Sequence, residues 1–87
     1  METNDVIDNR EAQQFEIHVD GETAFLAYQR SDSALALVHT EVPERLRGRH
    51  LAERLVVAAL DSARAAGLRI IPVCPFVRAY LRKHPQS

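Results

Sequence analysis

The amino-acid sequence predicts one small α/β domain, in which an antiparallel β-meander precedes a β-α-β unit with a parallel strand pair and a short C-terminal helix. Two observations lead to this prediction. Apolar and polar residues alternate in the first half of the chain, as in half-buried strands, whereas apolar residues recur at helical spacing in the second half. The chain has 87 residues, of which 46% are hydrophobic, and this suffices for one thin core.

Three strands are predicted in the first half of the chain. Residues 15–19 alternate in polarity and end at Asp20-Gly21, which is a strong signal for a two-residue hairpin turn. The second strand covers residues 22–29, and the third covers residues 34–42. The polar residues 31–33 between them are typical of a turn. These three segments therefore indicate an antiparallel meander.

A helix and a fourth strand are predicted in the second half. The apolar spacing indicates an amphipathic helix over residues 51–66, with Gly67 as its C-terminal stop. The segment 68–73 is short and rich in β-branched residues, which indicates a fourth strand. Because a helix connects the third strand to the fourth, the two strands are expected to be parallel. Pro72 cannot donate a hydrogen bond to a neighbouring strand, which indicates an edge, a bulge or a gap open to a ligand. Residues 76–83 can form the short final helix.

The start of the chain is predicted to be a flexible N-terminal tail over residues 1–14, because it is polar and without periodicity. The domain is then expected over residues 15–87. No basic segment followed by an apolar run is visible at the start, and no apolar stretch approaches membrane-spanning length. The single cysteine cannot form an internal disulfide. A cytoplasmic protein without a membrane partner is therefore expected, and the oligomeric state is not predicted.

The charge of the chain is divided between its halves. Residues 1–43 contain nine acidic and two basic residues, whereas residues 44–87 contain nine basic and three acidic ones. The basic half suggests an anionic partner, either a phosphate ligand or nucleic acid, although two mutually attractive layers of one domain would show the same pattern. Nucleic acid is the weaker of these possibilities, because no motif for base stacking is present. The four histidines and the cysteine do not have the spacing of metal ligands.

The segment that joins the third strand to the long helix is a candidate anion site. It combines Gly48 with Arg45, Arg47 and Arg49 immediately before the predicted helix. A helix N-terminus has unpaired N–H groups and a partial positive charge, and glycine lets the backbone approach a phosphate closely. A tight turn alone would also use a glycine, so that both interpretations of Gly48 remain open at this point.

Four segments, in this order and spacing, resemble the small single-domain branch of the GNAT acetyltransferase superfamily. They are His39-Thr40-Glu41-Val42-Pro43-Glu44, Leu46-Arg47-Gly48, Ile71-Pro72-Val73-Cys74-Pro75-Phe76-Val77 and His84-Pro85. The resemblance implies a minimal GNAT-like fold. It also implies an acetyl-CoA-dependent N-acetyltransferase with an unknown amine acceptor. The alternative is a non-catalytic module that binds coenzyme A or another anion, because the helices that build the acceptor pocket in larger superfamily members are missing.

The cofactor loop of this superfamily has the pattern Gln/Arg-x-x-Gly-x-Gly/Ala. Arg45 and Gly48 match its first and fourth positions, whereas His50 occupies the sixth, where Gly or Ala is usual. His50 could crowd the pyrophosphate, point away from it or contact it. The residues that the resemblance implies for binding of coenzyme A or acetyl-CoA are Val42, Arg45, Arg47, Gly48, Arg49, His50 and Leu51. The pantetheine arm would insert between the third and fourth strands, and no metal is implied.

Four residues are candidates for the chemistry of acetyl transfer. His39 and Glu41 are two positions apart and share one face of a strand, so that either could accept the proton of the amine. Tyr80 lies on the last helix, where larger relatives often carry a tyrosine that protonates the leaving thiolate. Cys74 ends the fourth strand before a helix N-terminus, which can lower a thiol pKa and favour a nucleophile. Each residue also has a structural alternative: solvated Glu41, hydrogen-bonded His39, packed Tyr80 and buried, inert Cys74.

Overall fold

The chain forms a five-stranded mixed sheet with two helices in the computed structural model, which describes residues 5–85. The strands are β1 (Ile7–Asn9), β2 (Gln14–Val19), β3 (Glu22–Arg30), β4 (Ala34–Glu41) and β5 (Arg69–Pro72), and the helices are α1 (Leu51–Ala66) and α2 (Pro75–Lys83). The strands lie in the sheet in chain order, with antiparallel pairs up to β4 and a parallel pair β4–β5. The predicted meander, crossover and final helix are therefore confirmed.

The N-terminal segment differs from the predicted flexible tail over residues 1–14. Within its described part, β1 pairs with β2 along the edge of the sheet. The Tyr28 hydroxyl donates a hydrogen bond of 2.6 Å to the Asp8 carboxylate, which fastens β1 to the sheet. Burial and this hydrogen bond raise the pKa of Tyr28 to about 12. The sequence did not predict β1, because this segment is polar and lacks the alternation of apolar residues that marks a strand. Its pairing depends on β2 and on Tyr28, which lie further along the chain. Residues 1–4 lie outside the described residues.

One face of the sheet packs against α1 and forms the core. Leu55, Val56 and Ala59 of α1 are fully buried against the apolar sides of the central strands. Truncation of Leu55 to alanine would lower the free energy of unfolding by about 2–5 kcal/mol, because it removes buried apolar contacts and leaves a cavity. Within residues 5–85, neither helix combines the length and the apolar character that a membrane span requires.

The other face of the sheet, here called the outer face, carries the polar members of the same strands. Alternation along each strand places Glu16 and His18 of β2 and Phe25 of β3 on the side away from the buried core residues. The hairpin between these strands turns at Asp20-Gly21, as predicted, with φ values of 50° and 80°. A two-residue turn with two positive φ values matches the twist of the flanking strands and fixes their register.

A β-bulge interrupts the pairing of β3 with β4. Tyr28 pairs with Leu37 and Ala27 pairs with His39, so that Val38 is the extra residue. A bulge reverses the alternation of side chains along its strand. His39 therefore lies on the outer face, although Leu37, two positions earlier, is fully buried on the core side. This reversal decides which residues of β4 reach the candidate site.

Candidate functional site

The parallel strands β4 and β5 separate at a defined point. Leu37 and Pro72 form their last pair, and the Leu37 carbonyl accepts hydrogen bonds from the N–H groups of Val73 (3.0 Å) and Cys74 (2.9 Å). Beyond this point β4 continues to Glu41, whereas the chain after β5 turns into α2. β5 is the outermost strand of the sheet, and the hydrogen bond from the Val73 N–H group to the Leu37 carbonyl leaves the nitrogen of Pro72 facing that free edge. Of the alternatives predicted for Pro72, the edge position is confirmed.

Cys74 lies where the two strands separate and precedes the first residue of α2. Its side chain is buried, and its Sγ lies 3.5 Å from the hydroxyl oxygen of Thr40. Burial raises the pKa of the Cys74 thiol, but hydrogen bonds from Thr40 and from the backbone N–H groups of Val77 and Phe76 outweigh it and leave the pKa below its ordinary value. These contacts favour the thiolate, which is the nucleophilic form of cysteine.

Thr40 is not among the functional residues predicted from the sequence. Its position next to His39 and Glu41 places it on the opposite side of β4 from them, and the bulge turns that side toward the core. The sequence indicates only that Thr40 lies on the opposite side of the strand from its neighbours, because side chains alternate along a strand. The contact with Cys74, however, depends on the register of the bulge, which the sequence does not reveal.

His39 and Glu41 form a pair on the outer face, and their predicted placement on one side of the strand is confirmed. The Nε2 atom of His39 lies 2.9 Å from the Glu41 carboxylate, and both side chains are exposed. An ionised carboxylate only accepts hydrogen bonds, so that Nε2 is the donor. The ring of Phe25 lies 6.1 Å from the His39 ring and flanks the pair. A histidine held by a carboxylate can accept a proton from a nearby amine.

The turn before α1 is anchored at both ends by buried leucines. Leu46 lies in a short 3-10 helix, Glu44–Leu46, that the sequence analysis did not predict, and Leu51 is the first residue of α1. Between them, the Arg47 guanidinium donates a 3.1 Å hydrogen bond from Nε to the carbonyl of half-buried Val42. The predicted binding residues Val42, Arg47 and Leu51 therefore have structural partners that set the shape of the turn.

Gly48 forms the open side of this turn. Its φ of +87° is in a region that side chains disfavour, and a Cβ built on Gly48 would meet no atom within 4 Å. The space beside the Gly48 Cα is therefore open, three residues before α1 begins. The first N–H groups of a helix have no partner within the helix. Exposed Arg49 follows Gly48 immediately. The turn therefore stays a candidate anion site. Within residues 5–85, no group of three or more His, Cys, Asp or Glu side chains is placed to hold a metal ion.

Arg45 and His50 both contact carboxylates. The Nε of Arg45 donates to the Glu22 carboxylate at 2.6 Å and so ties the turn to the β2–β3 hairpin. His50 has a φ of +61° immediately before α1, and its side chain is 81% exposed with Nδ1 3.6 Å from the Glu53 carboxylate. The His50 side chain, which could crowd the pyrophosphate, point away from it or contact it, thus lies beside Glu53. The phosphate roles of Arg45 and His50 stay predictions.

Tyr80 lies in a groove between α1 and α2. Its ring stacks on the His84 ring with centroids 4.2 Å apart. Together with Glu53, Phe76 and Lys83, these residues line a cavity of about 150 Å³. The structure thus shows a packing role for Tyr80, and its predicted role as the acid for the leaving thiolate stays a prediction.

Comparison with known proteins supports the resemblance noted from the sequence. The family model described as GCN5-related N-acetyl-transferase matches residues 14–87. The chain is 32% identical over 80 residues to Protein NATD1 of Mus musculus and to Protein NATD1 of Homo sapiens. These alignments cover 88% of this chain, 73% of the mouse protein and 71% of the human protein. Protein NATD1 of Xenopus tropicalis is 31% identical over the same length.

Proposed function

The chain belongs to the family of GCN5-related N-acetyltransferases, and from this premise we propose that it transfers an acetyl group from acetyl-CoA to an amine. One observation supports this proposal most strongly. The separation of β4 from β5 lies beside Cys74, and the chain continues from β4 through Glu41 and the 3-10 helix to the Gly48 turn. A candidate proton acceptor on the outer face and a candidate anion turn thus follow one another along the chain, and Cys74 lies beside the core side of the same strand.

Binding of coenzyme A is assigned to the turn before α1. The backbone N–H groups at residues 48–51 would hold the pyrophosphate, because a helix N-terminus favours an anion and the space beside the Gly48 Cα is open. Arg47 and Arg49 would add positive charge at the same turn. The pantetheine arm would lie where β4 and β5 separate. Acetyl-CoA supplies the activated acyl group as a thioester.

The proton chemistry is assigned to the pair on the outer face. Glu41, with His39 hydrogen bonded to it, would accept the proton that the amine loses as it attacks the thioester carbon. Tyr80 would donate a proton to the departing thiolate. Cys74 offers a second route, in which its thiolate takes the acetyl group first and the amine then attacks the resulting thioester. Both routes form the same amide and release the same thiol.

Titration and turnover together test the proposal. Calorimetry with coenzyme A and acetyl-CoA measures binding, and mass spectrometry with a panel of primary amines measures acetylated product. We expect saturable binding and at least one acetylated amine. Binding without any product across the panel would favour the alternative, a module that holds coenzyme A without turnover. No binding of either ligand to the folded protein would overturn the proposal.

A further inference from the structure

A second group of polar side chains lies on the outer face, on β2 and β3. The Glu16 carboxylate lies 3.0 Å from Nε2 of His18, and Nδ1 of the same ring lies 3.0 Å from the hydroxyl oxygen of Thr23. Carboxylate, imidazole and hydroxyl thus form one continuous line. This is the order of groups that activates a hydroxyl nucleophile in enzymes of several unrelated folds.

The direction of the hydrogen bonds in this line follows from Glu16. Its carboxylate accepts hydrogen bonds from Gln14 (2.6 Å) and Asn9 (3.0 Å) as well as from His18. The hydrogen bond from Gln14 is the largest influence, and it lowers the pKa of Glu16 despite burial. An ionised carboxylate can only accept, so that neutral His18 carries its proton on Nε2. Nδ1 is then the unprotonated nitrogen of the ring, and it accepts the hydrogen bond from the Thr23 hydroxyl.

The burial of the three groups suits the same roles. Glu16 is 7% exposed, whereas the side chain of His18 is 53% exposed and Thr23 is half-buried. The orienting carboxylate is therefore protected from solvent, while the base and the hydroxyl can be reached by a small molecule. His18 and Thr23 are direct partners across the β2–β3 pair. Their contact is thus fixed by the register of two strands and not by a mobile loop.

We propose that Thr23 is an activated hydroxyl that reacts covalently with acyl donors of the activated-ester class. In this step Thr23 Oγ1 attacks the carbonyl carbon while His18 takes the hydroxyl proton at Nδ1. The bond to the leaving group breaks, and His18 returns the proton to the departing oxygen. Glu16 is a positioning residue that holds the tautomer of His18. The proposal uses neither the Gly48 turn nor Cys74, and so it stands independently of the acetyltransferase assignment.

A fluorophosphonate probe tests the hydroxyl directly. Thr23 would displace fluoride from phosphorus, and the hydroxyl proton would leave with it by way of His18. We expect one adduct, located on Thr23 by peptide mass spectrometry. Thr23→Val should abolish the adduct and Thr23→Ser should retain it. His18→Gln should slow labelling by roughly 100-fold, which is typical for removal of a general base.

A control variant separates activation from ordinary surface reactivity. Ser31→Ala removes an exposed hydroxyl that is bonded to the backbone of Ala34 and not to a histidine. This change should not alter labelling of Thr23. All variants are compared by circular dichroism, so that rates refer to folded protein. Absence of the Thr23 adduct in the folded wild type, or equal labelling rates in wild type and folded His18→Gln, would overturn the proposal.

Discussion

Replacement of His50 by glycine is expected to stabilise the protein. His50 precedes the first residue of α1 with a φ of +61°, and its side chain makes no capping hydrogen bond. A side chain in this left-handed conformation is strained because its Cβ crowds the backbone, whereas glycine adopts it readily. The change therefore removes strain without removing a helix cap.

The size of the effect follows from three contributions. Relief of the left-handed conformation is worth about 1–2 kcal/mol. The greater freedom of glycine in the unfolded chain offsets about 0.4–1 kcal/mol of that gain. The Nδ1 atom of His50 lies 3.6 Å from the Glu53 carboxylate, and the two side chains are 81% and 44% exposed. Loss of this ion pair therefore costs only about 0.2 kcal/mol of unfolding free energy, the lower end of the range for surface ion pairs. A net gain of about 0.5 kcal/mol remains, which corresponds to roughly 2–4 °C in Tm.

Urea unfolding followed by circular dichroism measures this gain, with two variants that separate its parts. His50→Ala removes the imidazole but keeps the Cβ, and it should be no more stable than the wild type. Glu53→Gln removes the charge of the partner and reports the ion pair alone. If the alanine variant is as stable as the glycine variant, backbone strain at His50 is not the cause and the reasoning fails.

The same variant tests the predicted role of His50 in binding. The side chain lies beside Glu53, so that His50→Gly should leave the Kd for coenzyme A unchanged or lower it. A tenfold or larger rise in Kd for the folded variant would instead make His50 a phosphate ligand.

Three further predictions concern the candidate site. Gly48→Val should abolish binding of coenzyme A in calorimetry, whereas Gly67→Val, at a similar φ of +71° at the end of α1, should destabilise the fold but leave the affinity of the folded fraction intact. An equal loss of coenzyme A affinity in both folded variants would show that Gly48 has only a structural role. Glu41→Gln should lower kcat by roughly 100-fold or more with little change in the Kd for coenzyme A, since only the proton acceptor is lost. Incubation with acetyl-CoA alone should place one acetyl group on the protein, visible by mass spectrometry and absent in Cys74→Ala; full activity of that variant would exclude a nucleophilic Cys74.

Most of the fold could be predicted from the sequence, because its signals are local. The change of hydrophobic period separates the meander from α1, Asp20-Gly21 fixes the first hairpin, and Gly67 ends the helix with a φ of +71°. The β1 strand was missed because its pairing depends on residues elsewhere, such as Tyr28, whose hydroxyl binds Asp8. The bulge at Val38 was missed for a related reason, since nothing in its own neighbourhood marks an extra residue.

The sequence also determined which residue types are available for function. Gly48 before a helix, Cys74 at the end of a strand, and His39 two positions from Glu41 are recognisable from residue chemistry and from the family resemblance. The tertiary structure decided which partner each of them has. Thr40 meets Cys74 across 34 positions of the chain, and no local pattern joins the two.

The physical reason is the dependence of side-chain direction on register. One extra residue at the bulge turns His39 to the outer face and Thr40 toward Cys74, and a shift of one position would exchange them. The pairing of β2 with β3 likewise brings Thr23 to His18. Amino-acid composition and spacing therefore specified the strands, the helices and the reactive groups, whereas the packed sheet specified which of these groups touch.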